Sequence, residues 1–129
     1  MRTFAFLLAA FALQAQPPRD VLELFRDVAE ALSANEPGDF MDHFDRMMPG
    51  YATLRDEVRA LLDGSEVGSS IEIVTDEGNE QRRTLQLDWV LQINRDAPRR
   101  QIVKCRVERQ GRKWKIVALE PVDFFKPSS

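Results

Sequence analysis

Thr84-Leu85-Gln86-Leu87-Asp88-Trp89-Val90-Leu91-Gln92-Ile93 is the stretch on which the reading of this chain turns. Leu85, Leu87, Trp89, Leu91 and Ile93 alternate with Thr84, Gln86, Asp88, Val90 and Gln92. A strict period of two with one apolar and one largely polar face is the pattern of a half-buried β-strand. Such a strand belongs to an antiparallel sheet with one face packed and the other solvated.

The same period continues on both sides. Downstream, Asp96-Ala97-Pro98 predicts a turn, and Val103, Cys105 and Val107 then alternate with Lys104, Arg106 and Glu108. Gln110-Gly111-Arg112-Lys113 predicts another turn, leading into Trp114, Ile116 and Ala118. Upstream, Ile71 and Ile73 flank Glu72, and Asp76-Glu77-Gly78-Asn79 reads as the turn that joins this strand to the central one. Before Gly64 the period becomes helical. Val21, Leu24, Phe25, Val28 and Leu32 form one stripe, with Asp20 and Glu23 as an N-terminal cap pair and Asn35-Glu36-Pro37-Gly38 as the stop. A second helix from Asp39 places Phe40, Phe44 and Met47 on one face and ends at Pro49-Gly50. A third runs from Tyr51 to Asp63, with Tyr51, Leu54, Val58, Leu61 and Leu62 inward and Gly64 closing it. Helices followed by four antiparallel strands predict an α+β domain: N-terminal helices packed on a curved four-stranded sheet.

The chain has 129 residues, 43% hydrophobic and 30% charged, which suits one globular domain. Its formal net charge of −3, with both signs interspersed, gives no basic stripe and argues against a nucleic-acid partner. One cysteine and one histidine exclude an internal disulfide and any metal site built from several His or Cys ligands. No cofactor motif is present.

The first residues read as an address. Met1-Arg2-Thr3 is a short basic start, Phe4 to Leu13 is uncharged and mostly apolar, and Gln14-Ala15-Gln16-Pro17-Pro18 breaks the run. That is the order of a secretory signal peptide. The run falls short of the roughly twenty apolar residues that span a bilayer. Cleavage is expected after Ala15, with Ala10-Phe11-Ala12 offering a second site. An uncleaved anchor and an ordinary first helix are the alternatives. The expected organisation is a signal peptide over 1–15, a leader over 16–19, the domain over 20–125 and a tail over 126–129. The mature protein is expected to be periplasmic or secreted, with no stable membrane insertion.

Three helices, a meander and the closing strand Gly111-Arg112-Lys113-Trp114-Lys115-Ile116 resemble the nuclear transport factor 2-like superfamily, the cystatin-like α+β roll. Phe44-Asp45-Arg46-Met47-Met48-Pro49-Gly50-Tyr51, followed by Leu54-Arg55, resembles an exported bacterial branch of it to which no reaction is assigned. The resemblance covers residues 20–125. It implies a cone-shaped pocket between sheet and helices and often a homodimer. Members include isomerases, dehydratases, polyketide cyclases and non-catalytic binding domains, so the fold does not select a function.

An enzyme of this kind needs a general base in the cone. Asp88, Lys104, Arg106 and Glu108 fall on the polar face. Two ionisable residues remain as catalytic candidates. His43 flanks the apolar face of the second helix and would act as a base near neutrality, or is a boundary histidine with one partner. Glu120 continues the phase of Trp114, Ile116 and Ala118 and would face inward, or is a solvated strand end. Tyr51 offers a hydroxyl or simply packs. Trp89 and Trp114 serve as pocket walls or as core. Cys105 reads as a small buried hydrophobe and joins Tyr51, Trp89 and Trp114 as residues expected around a ligand. The polar sheet face, with Gln86, Asp88, Val90, Gln92, Lys104 and Arg106, suits pairing with a second copy. The expected function is therefore non-catalytic binding of a small apolar ligand or a protein partner in the cone. A small isomerase, dehydratase or cyclase and a dimeric envelope adaptor are the alternatives.

Overall fold

The computed structural model describes residues 17–127. The signal peptide expected over 1–15 lies outside them. The elements run α1 (Arg19–Ser33), α2 (Pro37–Asp42), α3 (Tyr51–Gly64), β1 (Val67–Gly78), β2 (Arg82–Ile93), β3 (Arg99–Gln110) and β4 (Lys113–Glu120), then a 3-10 turn (Val122–Phe125). The strands form one antiparallel sheet in the order β1-β2-β3-β4. Three helices on a curved four-stranded sheet make the expected α+β roll.

The central strand behaves as its alternation requires. Leu85, Leu87, Trp89 and Leu91 are fully buried and Ile93 nearly so, while Thr84 to Gln92 at the even positions face outward. The stripe of α1 is buried as expected, with Ala31 added. The helix ends in a Schellman arrangement: Asn35 takes a left-handed φ of 58°, Glu36 N–H donates to Ala31 O at 2.9 Å, and Asn35 N–H donates to Leu32 O at 3.1 Å. Its start differs from the expected cap pair. Neither Asp20 nor Glu23 caps the helix, and the Asp20 carboxylate is engaged elsewhere.

The second helix is much shorter than expected. It stops at Asp42 because the following backbone pairs with the sheet instead of with itself. Ile116 N–H donates to His43 O at 2.9 Å, Asp45 N–H donates to Ile116 O at 2.8 Å, and Phe44 forms an isolated parallel bridge with Ile116. Asp45 Oδ1 accepts Met47 N–H at 2.9 Å, a side-chain-driven turn that replaces helix. The expected inward Met47 is consequently 87% exposed, and Met48 is buried in its place.

Two bulges account for the remaining departures. Between Ile73 and Thr75 the β1–β2 register slips by one, with Val74 as the extra residue. A one-residue slip exchanges the faces of everything beyond it. Asp76 therefore pairs with Leu85 on the inner face, where its carboxylate accepts from Arg83 Nε at 2.7 Å. The strand continues to Gly78, and the turn falls at Asn79, whose Oδ1 accepts the N–H groups of Gln81 and Arg82 at 2.8 and 3.0 Å. Gly78 has a φ of 143°, and a Cβ there would collide with the Arg82 carbonyl oxygen. The second slip, opposite Arg106 and Val107, leaves Val117 unpaired in β4.

Candidate functional site

The interior of the cone is occupied by the protein's own side chains. Trp89 meets Phe125 edge-on at 5.0 Å between ring centroids and Phe124 at 6.2 Å; Phe40 lies 5.9 Å from Phe125 and 5.0 Å from Phe44. Trp89 Nε1–H donates to Ser69 Oγ at 2.8 Å, so the buried indole has its polar atom satisfied. Phe124 and Phe125 come from the 3-10 turn, which packs against α3 and closes that end of the roll.

The opposite end is open. A cleft of about 750 Å³ lies between the first half of α1, the end of α2 with the segment that follows it (residues 41–46), the start of α3 and the β3–β4 hairpin. It brings His43, Tyr51 and Trp114 together. The sheet edge places His43 there, since the backbone bonds to Ile116 hold its carbonyl and Asp45's amide against β4. Tyr51 enters as the first residue of α3, behind a left-handed Gly50. Trp114 forms the floor, only 5% exposed.

Trp114 is fixed by a network that joins distant parts of the chain. Its Nε1–H donates to Asp20 Oδ2 at 3.0 Å, and Arg109 Nη2 donates to the same oxygen at 2.8 Å. The Arg109 guanidinium also lies over the indole, 4.6 Å from the ring centroid, in cation–π contact. Arg109 Nε donates to Glu80 O at 3.1 Å, tying the β1–β2 turn to the same point. Partial burial alone would raise the affinity of the Asp20 carboxyl for a proton, but the bonds from Arg109 and Trp114 outweigh it and hold the group below the ordinary carboxylate value.

His43 is half-buried, and burial keeps its pKa below the ordinary 6.5; Lys115 acts in the same direction, with Asp27, Asp42 and Asp39 opposing. The imidazole is therefore neutral near neutral pH, as a base requires. The remaining charged lining is Asp20, Glu23 and Asp27 from α1, Asp42 at the end of α2, Asp45 and Arg46 after it, and Arg112, Lys113 and Lys115 from the hairpin.

The other sequence-chosen residues lie elsewhere. Glu120 does not face inward: the Val117 bulge reverses the phase of β4, so Leu119 is buried and Glu120 is exposed beside Lys104. Trp89 is core, fully enclosed. Cys105 is also buried, with its thiol pKa pushed up by burial, which suppresses the reactive thiolate. Arg109 carries no local sequence signal and Asp20 has the spacing of a helix cap; their contact spans 89 positions. Among the described residues no group of three or more His, Cys, Asp or Glu side chains is placed to hold a metal ion.

An α+β roll with a meander sheet, an aromatic-filled cone and an open end defines the structural class, and comparison with solved structures agrees. No family model and no curated protein matches the chain. An NTF-2-like protein of unknown function from Shewanella oneidensis MR-1 superposes with a TM-score of 0.71 at 13% identity, over 81% of this chain and 97% of that one. Bd1075 of Bdellovibrio bacteriovorus gives 0.70 at 9% identity, over 79% of this chain but 40% of its own length. A putative scytalone dehydratase from Novosphingobium aromaticivorans DSM 12444 gives 0.65 at 11% identity, over 78% and 79%. The chain has the nuclear transport factor 2-like, cystatin-like fold. Identities this low speak for the fold alone.

Proposed function

We propose that this is an exported, non-catalytic binding domain that works through the open cleft around His43, Tyr51 and Trp114, not through the interior of its cone. The observation that carries this reading is the contrast between the two ends. Trp89, Phe40 and Phe125 fill the cone to 0% exposure, whereas the cleft offers about 750 Å³, within the usual roughly 300–1,000 Å³ of ligand sites. A protein-observed NMR screen of small polar and apolar fragments tests it. Hits are expected to move the amides of residues 43–46 and 111–115. Hits confined to the amides of Leu85 to Leu91 would return the ligand to the cone and overturn the proposal.

One observation favours a catalytic reading. His43 is neutral through burial and shares the cleft with the Tyr51 hydroxyl, so an isomerase or dehydratase would use the imidazole as base and the phenol as donor. Glu120 has no place in that mechanism. If turnover of a carbonyl substrate is found, His43→Ala should lower kcat by roughly 100-fold or more; a loss below tenfold would exclude the base.

A further inference from the structure

We infer that the ligand of this cleft is zwitterionic, a short peptide with both ends free, its ammonium held by the α1 carboxylates and its carboxylate by the β3–β4 hairpin cations. This rests on the binding reading above. Apart from the 42–46 segment, where Arg46 stands beside Asp42 and Asp45, the charges of the cleft are segregated by element. Asp20, Glu23 and Asp27 follow each other at three and four positions, and that spacing places them along one side of α1. Asp20 is committed to Arg109 and Trp114, so Glu23 and Asp27 are the exposed carboxylates on that side. Across the cleft, Gly111 turns the hairpin with a φ of 67° and is followed by exposed Arg112 and Lys113. Lys115 Nζ donates to Asp42 O and so secures the hairpin to the 42–46 segment.

His43 lies between these groups. Asp27 and Lys115 both act on its imidazole with opposite sign, which places the acidic and basic sides within electrostatic reach of one point. A purely anionic ligand would meet Glu23, Asp27 and Asp42; a purely cationic one would meet Arg112, Lys113 and Lys115. A ligand carrying both charges finds a partner on each side. The cleft is larger than a single amino acid needs, and the part-exposed Tyr51 ring in its lining offers a surface to a peptide backbone.

The test titrates the full chain by NMR at low salt with triglycine, N-acetyl-triglycine, triglycine amide and N-acetyl-triglycine amide. Triglycine is expected to bind at residues 43–46 and 111–115, with either cap weakening it about fivefold, the scale of an exposed ion pair. The Glu23→Gln/Asp27→Asn pair should erase the preference for a free amino end only. Arg112→Gln with Lys113→Gln should erase the preference for a free carboxylate only. These side chains are exposed, so folding is not at stake. Equal binding of all four peptides, or no binding of triglycine, overturns the inference. If triglycine fails while other fragments still occupy the cleft, only the ligand class falls; if nothing occupies the cleft, the binding reading falls with it.

Discussion

The two tryptophans occupy equivalent phases on β2 and β4 of one sheet, with β3 between them, and have opposite fates. Trp89, mid-strand in β2, is enclosed by Phe40, Phe124 and Phe125, with Ser69 as its neutral partner. Trp114, near the start of β4, is covered by a guanidinium and bonded to a carboxylate, next to an open cleft. The apolar face of this roll is thus one surface with two ends, one closed by aromatic packing and one finished by charge. What a residue does on it depends on what the distant helices and turns lay over it.

The largest effect that would break this comparison lies at the closed end. Trp89→Ala should cost about 3–5 kcal/mol, because it removes a wholly buried indole and leaves a cavity that Phe40, Phe124 and Phe125 fill poorly. For a domain of this size that is a large share of the total stability. Urea denaturation should show a much lower midpoint. A loss under about 1 kcal/mol would mean that the cone is adaptable space and not a packed core.

The contrast also explains how much could be read in advance. The alternation of β2 and the α1 stripe are local and regular, and both survive unchanged in the structure. The departures all come from partners that local pattern does not reveal. Val74 and Val117 look like ordinary strand residues, yet each is the extra one in a bulge, and each reverses the faces of the residues beyond it. Asp76 is brought in by the first and Glu120 put out by the second. Helical spacing favoured Met47, but the β4 edge captured the 43–45 backbone and left Met48 inward. His43, Tyr51 and Trp114 were chosen separately as possible site residues; only the tertiary fold puts them around one cleft.

At the open end the second effect is smaller. Asp20→Asn should cost about 1 kcal/mol, the scale of a hydrogen bond strengthened by charge and then weakened by water. Trp114→Phe should cost comparably, and the double variant less than the sum, because Asp20→Asn weakens and Trp114→Phe removes the same bond from Nε1–H to the residue-20 oxygen. Additivity of the two changes in denaturant midpoint would show that the indole is held by packing alone. The pH dependence of this contact has a fixed sign. Asp20 has a folded pKa below the ordinary 3.8, so its stabilisation is complete above that value and lost as pH falls further.

His43 should produce the smallest effect, and it sharpens the comparison because it titrates in a different window. Its folded pKa lies below 6.5, chiefly through burial, so the unfolded chain takes up the proton first on acidification. The stabilisation tied to the neutral imidazole is complete above pH 6.5 and declines as pH falls through the folded value, well before Asp20 responds. Half-exposure keeps the decline shallow, since water still reaches the ring. Replacing the ring in His43→Gln should flatten the stability curve in that interval and leave the acid limb below 3.8 unchanged. An upward shift of the His43 NMR titration midpoint above 6.5 would reverse the sign. It would mean that Asp27 and Asp42 govern the imidazole more than its burial does, and that the cleft presents a cation where the present geometry presents a base.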